Sequence, residues 1–118
     1  MVSAVPDTPF GRNLAAYLTA RNCSVRPART SPEVRRLVAQ RRPAGVVLPV
    51  GLAPESGWLT CAKLLSWRPG LPVVLVAPEV NPALRALARF VGAAALVSES
   101  AAPVVLAEAL NIPCPSEA

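Results

Sequence analysis

Apolar residues in this chain fall into short blocks separated by proline, glycine and small polar residues, and the blocks alternate between two spacings. One kind is brief and nearly continuous: residues 2–5, 46–48, 73–76 and 94–97, with a weaker stretch at 24–26. Runs of three to five Val, Leu and Ala bounded by turn residues read as strands buried on both faces. The other kind spaces its apolar positions three and four apart, as one face of a helix requires. Phe10, Leu14, Tyr17 and Leu18 mark a helix opened by Thr8-Pro9 and running to about 21. Val34, Leu37 and Val38 mark a second, opened by Ser31-Pro32 and ending near 42, with Arg35, Arg36, Arg41 and Arg42 on its outward side. Trp58, Cys61, Leu64 and Leu65 mark a third over about 58–67, stopped by Arg68-Pro69-Gly70. Asn81-Pro82 caps a fourth, with Leu84, Leu87, Ala88 and Val91 inward and Arg85 and Arg89 outward. Gly92 takes the left-handed position at its end, and a fifth helix opens between Ser100 and Pro103 and runs to about 111. A polar cap followed by proline in the first turn starts a helix without wasting a backbone donor.

Strand and helix alternate throughout, which is the pattern of repeated βα units closing on a parallel sheet. Five of each in 118 residues predict an α/β, three-layer, flavodoxin-like (βα)5 open sheet with strand order 2-1-3-4-5. Its functional crevice should lie at the C-terminal edges of strands one, three and four. The expected organisation is one domain over residues 1–111, followed by a proline-rich tail or linker start at 112–118.

Composition narrows the chemistry. The longest apolar run, about residues 44–53, is interrupted by Pro49 and reaches half the length of a bilayer span. The first seven residues lack both a basic region and an apolar core, so no secretory signal is expected and the cytoplasm is the default location. There is no histidine, and Cys23, Cys61 and Cys114 are widely spaced, which excludes the common zinc patterns and histidine-based catalysis and fits a reducing compartment. Cys61 reads as a small buried hydrophobe. Charge is lopsided: residues 1–43 carry eight arginines against Asp7 and Glu33, whereas residues 44–118 carry four bases against five acids.

Three segments carry a resemblance. They are Gly45-Val-Val-Leu-Pro-Val-Gly-Leu-Ala-Pro-Glu-Ser-Gly57, Pro72-Val-Val-Leu-Val-Ala77 and Phe90-Val-Gly-Ala-Ala-Ala-Leu-Val-Ser-Glu99. Their strands, turns and glycines are spaced as in response-regulator receiver domains, and the chain resembles a degenerate member of that family. The resemblance implies a phosphorylation site whose acidic pair falls on Pro6 and Asp7, its acceptor on Pro49, its hydroxyl on Val76 with Ala77 beside it, and its lysine on Glu99. Proline offers no nucleophile, valine no hydroxyl, and glutamate reverses the charge. The expectation is therefore a pseudo-receiver that takes up no phosphate, holds no metal or cofactor, has no catalytic residue and is not an enzyme.

What remains is binding. The resemblance implies a regulatory protein partner, self-association included, on the face of the fourth helix, fifth strand and fifth helix, where Arg85, Arg89, Phe90, Ser98 and Glu99 fall. The alternative uses the arginines of residues 12–42, above all Arg35, Arg36, Arg41 and Arg42, against nucleic acid or an acidic partner. No helix-turn-helix, zinc-finger or RNA-binding pattern accompanies them.

Overall fold

A computed structural model of the chain describes residues 1–5 and 7–110. Pro6, Cys114 and the tail at 112–118 lie outside the described residues. The elements are β1 (Val2–Ser3), α1 (Pro9–Thr19), β2 (Arg26–Pro27), α2 (Ser31–Arg41), β3 (Val46–Pro49), α3 (Gly57–Trp67), β4 (Val73–Ala77), α4 (Pro82–Val91), β5 (Ala95–Ser98) and α5 (Pro103–Leu110). The five strands are parallel in the order β2-β1-β3-β4-β5. This is the predicted α/β flavodoxin-like topology.

Alternation along the central strands builds the two cores. Val46, Leu48, Val73 and Leu75 point to one face, where they meet Val34 and Val38 of α2, Cys61 and Leu64 of α3 and Ala88 of α4. Val47, Val74, Val76 and Val97 point to the other, against Phe10, Leu14 and Leu18 of α1 and Leu106 of α5. A period-two pattern with both sets apolar is what a sheet covered on both sides needs. Leu48 is fully buried in β3.

Several boundaries differ from the sequence reading. β2 lies at Arg26–Pro27, not at 24–26. Both of its residues are exposed on the edge of the sheet, so no burial pattern marks the strand, and proline is tolerated where no outer neighbour needs its N–H. The cap of α2 is Thr30, whose hydroxyl accepts from the Glu33 amide at 3.3 Å. Ser31 is instead buried and accepts from the Glu55 amide at 3.1 Å. Thr8, Ser56 and Asn81 cap α1, α3 and α4, and Gly92 is left-handed at φ 86°. On α4 only Ala88 is buried, and Leu87, expected inward, is 37% exposed. The helix rests on a narrow stripe of Leu84, Ala88 and Val91, which leaves Leu87 on its flank.

Candidate functional site

The loops after β1, β3 and β5 meet at the C-terminal end of the sheet and enclose an open depression of about 280 Å³, whose lining includes Asp7, Thr8, Arg29, Pro49 and Glu99. Thr8 shapes the first loop: its hydroxyl donates to the Val5 carbonyl at 3.0 Å and accepts from the Gly11 amide at 2.9 Å. Gly11 is required there, because a Cβ would lie 1.6 Å from the Val5 carbonyl oxygen. Gly57 does the same for the third loop, since a Cβ would lie 2.1 Å from the Pro49 carbonyl oxygen. α1 and α3 thus start in direct backbone contact with the strands whose ends form the depression.

Within it, Arg29 grips Asp7 with both ends of its fork, Nε to Oδ2 at 2.9 Å and Nη2 to Oδ1 at 3.2 Å. Bidentate pairing satisfies the planar guanidinium and the carboxylate together. The hydrogen bond from Arg29 holds the Asp7 carboxyl below its ordinary range. Arg12 adds a bond from Nη1 to the Asp7 carbonyl at 2.9 Å. Pro49 ends β3, half-buried, and brings only its backbone carbonyl. Glu99 extends the sheet by donating its amide to the Ala77 carbonyl at 3.0 Å, while its side chain is exposed and in no ion pair among the described residues.

The structure therefore brings Asp7, Pro49 and Glu99 together and leaves Val76 out. Val76 is 2% exposed and packs into the α1 and α5 core, and Ala77 is the residue that ends β4. A divalent cation in such a crevice wants several oxygen ligands. Here the Asp7 oxygens are both engaged by a guanidinium and the β3 position has no side-chain oxygen, so these residues do not fit a magnesium ion.

The face expected for partner binding divides in two. Arg85 and Arg89 flank a second depression of about 270 Å³ between α4 and the start of β5, floored by Ala93, Ala94 and Ala95. Phe90, which follows Arg89 on α4, is 87% exposed. Ser98 and Glu99 are at the other end of β5, where the Ser98 and Ser100 hydroxyls share a hydrogen bond of 2.8 Å and Glu99 belongs to the crevice. The resemblance had grouped these residues; the length of β5 separates them.

The arginines of the first third are more engaged than their charge count implied. Arg35, expected to point outward, is partly buried in an ion pair with Glu55, which also holds Lys63. The hydrogen bond from Lys63, with Arg35 adding to it, holds the Glu55 carboxyl below its ordinary range. The cluster ties α2 and α3 to the loop between β3 and α3. Arg36 lies 3.8 Å from Glu33, and Arg21 stacks over the Tyr17 ring at 3.8 Å. Arg41 and Arg42 are exposed, Arg42 in left-handed geometry as the end cap of α2. Cys61 is a free buried thiol, pushed up to about 11 by burial. Cys23 is half-buried against the α1 core.

Arg29 and Glu55 are the two functional positions the sequence reading missed. The signal for Arg29 was the strand order itself: placing strand two beside strand one brings the loop after strand two against Asp7.

No family model and no curated protein matches the sequence. Solved structures do match the backbone. One is a response regulator protein from Burkholderia pseudomallei with a phosphorylated aspartic acid, calcium ion and citrate, at TM-score 0.82 and 20% identity over 96% of this chain. This chain spans 66% of that protein's length. Another is a CheY-like receiver domain from Methanospirillum hungatei, at TM-score 0.81 and 18% identity over 93% of this chain and 88% of that one. A third is the BeF3-activated N-terminal receiver domain of RstA from Klebsiella pneumoniae, at TM-score 0.81 and 23% identity over 98% and 97%. The fold is that of response-regulator receiver domains. Among the described residues, no helix is long and apolar enough to cross a membrane.

Proposed function

We propose that this chain is a degenerate receiver domain, a non-enzymatic regulatory module of signal transduction or transcriptional control that binds a protein partner without being phosphorylated. The observation that carries the reading is the crevice itself. Where phosphoryl transfer needs an oxygen nucleophile, a hard cation and positive charge beyond them, this chain has Pro49, an Asp7 closed by Arg29, and Glu99. Binding is the use of the scaffold that survives, and the solvent-facing Phe90 with Arg85 and Arg89 supports α4 as the place for it. The alternative basic surface on α2 is weakened by the engagement of Arg35 and Arg36.

Incubation with acetyl phosphate or beryllofluoride and magnesium should leave the mass and the amide spectrum unchanged. Pro49→Asp should also take up no phosphate, because Arg29 and Glu99 remain. An acid-stable, base-labile phospho-adduct on the unaltered chain would overturn the reading.

A further inference from the structure

In an all-parallel sheet every helix returns to the end where the next strand begins, and the two ends of this molecule differ in charge. The connections from strand to helix, with the first helical turns, carry Asp7, Glu33, Glu55, Glu79 and Glu99. The opposite end gathers Arg21, Arg26, Arg41, Arg42, Arg68 and Arg89, from the closing turns of α1 to α4, the residues just after them and the start of β2. Among the described residues none of these six is in an ion pair, and the acid on their half is Glu108 of α5. Helix C-termini bring about half a negative charge each, so five of them together with Glu108 still leave this end positive. At the other end Asp7, Glu33 and Glu55 are matched by Arg29, Arg36, Arg35 and Lys63.

The basic end also has an aromatic. Trp67 closes α3 and is 54% exposed. Arg68 follows it in the chain, and Arg41 and Arg42 end the adjacent helix α2. In the sequence these arginines and this ring are far apart; the packing of α2 beside α3 is what interleaves them. Arg68 is half-buried, and its Nη1 is a donor with no hydrogen-bond partner. We propose that this end of the molecule binds single-stranded nucleic acid, with a base stacked on Trp67 and the flanking phosphates on Arg41, Arg42 and Arg68. Arginine forks match phosphate oxygens, and an exposed ring beside them gives the unpaired base a face to meet. A duplex keeps its bases stacked inside and offers Trp67 nothing comparable. An acidic peptide would satisfy the arginines and use the indole only as apolar area.

The test uses the full chain with 20-base oligothymidylate and oligouridylate, two arms that separate DNA from RNA as the source of the strand. At least one should bind and quench tryptophan fluorescence. Log affinity should fall with log salt, and the slope should flatten by about 1.4 in Arg41→Ala/Arg42→Ala, two contacts at about 0.7 each. Trp67→Ala should weaken binding by about tenfold. Trp67→Phe should keep binding and lose the quench, because the other tryptophan, Trp58, is half-buried on the far end of α3. Arg85→Ala should leave binding unchanged. If Trp67→Ala lowers the urea midpoint, the quench and its loss in Trp67→Phe decide the matter. Absence of binding, binding without quenching, or a slope indifferent to Arg41 and Arg42 overturns the proposal. So does equal competition, at matched charge, by a 20-base-pair duplex, by polyglutamate or by vesicles of one part phosphatidylserine to three parts phosphatidylcholine. None of these outcomes bears on the protein-binding reading, which rests on the crevice and α4.

Discussion

At the mouth of the sheet Arg29 holds both oxygens of Asp7, and Arg35 shares Glu55 with Lys63, whereas on α4 Arg85 and Arg89 face solvent in no ion pair among the described residues. The two regions use the same residue type for different ends. In the first, arginine ties neighbouring loops together and fixes the shape of the crevice. In the second, it is left available beside exposed Phe90. The charge count along the sequence had favoured the first region as the basic surface, and ion pairing redistributes that charge. What decides whether an arginine can serve a partner is which carboxylates the fold has already placed within reach of it.

If the crevice end is held by backbone contact, altering that contact should be the most damaging change of all. Gly11→Ala forces a Cβ to within 1.6 Å of a carbonyl oxygen, and Gly57→Ala to within 2.1 Å of another. Overpacking against backbone cannot relax by turning a side chain, so each substitution should cost about 3 kcal/mol, read as a lowered urea midpoint with unchanged slope. A loss under about 1 kcal/mol would mean that the helix starts are looser than their contacts imply.

The Glu55 cluster comes next. Glu55→Gln removes the charge that Arg35 and Lys63 share and should lower the urea midpoint by less than either glycine substitution, because the pairs are partly exposed and solvent screens them. The same change in an Arg35→Ala background should cost less, and the coupling measures the clamp. Equal costs in both backgrounds would show that Arg35 does not bear on the loop.

Much of this architecture was legible beforehand, and the exceptions share a cause. β3 and β4 were readable because both of their faces are buried, and α1 and α4 because polar caps and prolines mark their starts. β2 shifted because an exposed edge strand leaves no apolar trace. Leu87 has the spacing of a core residue, yet α4 touches the sheet along a stripe too narrow to include it. At the site, Pro49 and Glu99 were visible as single residues, but the Arg29 grip on Asp7 spans 22 positions. It exists only once β2 lies beside β1. Pairings across loops depend on topology first and on residue type second.

Acid titration probes that grip directly. Asp7 and Glu55 are both held below their ordinary values of 3.8 and 4.5, Asp7 by the hydrogen bond from Arg29 and Glu55 chiefly by that from Lys63. The unfolded chain binds these protons more tightly than the folded one. Their contribution is therefore fully present above the unfolded values and is lost as pH falls through the folded ones. Carboxyl chemical shifts should show each midpoint below that of a model peptide carrying the same residue, and Arg29→Ala should raise the midpoint of Asp7 while leaving Glu55 in place. An Asp7 midpoint indifferent to Arg29 would dissolve the contrast between a closed crevice and an open α4 face.

The smallest expected effect on stability lies on α4, and its smallness is the informative part. Phe90 makes little contact with the core, being 87% exposed, and Arg85 and Arg89 are in no ion pair among the described residues. Phe90→Ser and Arg85→Ala/Arg89→Ala should therefore each shift unfolding free energy by no more than about 0.5 kcal/mol. Removing an exposed phenyl ring that served nothing would also leave association untouched. Chemical denaturation and partner binding have to be measured on the same preparations, because a residue that supports the fold loses both together, while a residue kept for recognition loses only the second. A fall of more than about 1 kcal/mol in either variant would place these side chains in the fold's own support and remove the basis for treating α4 as the available surface.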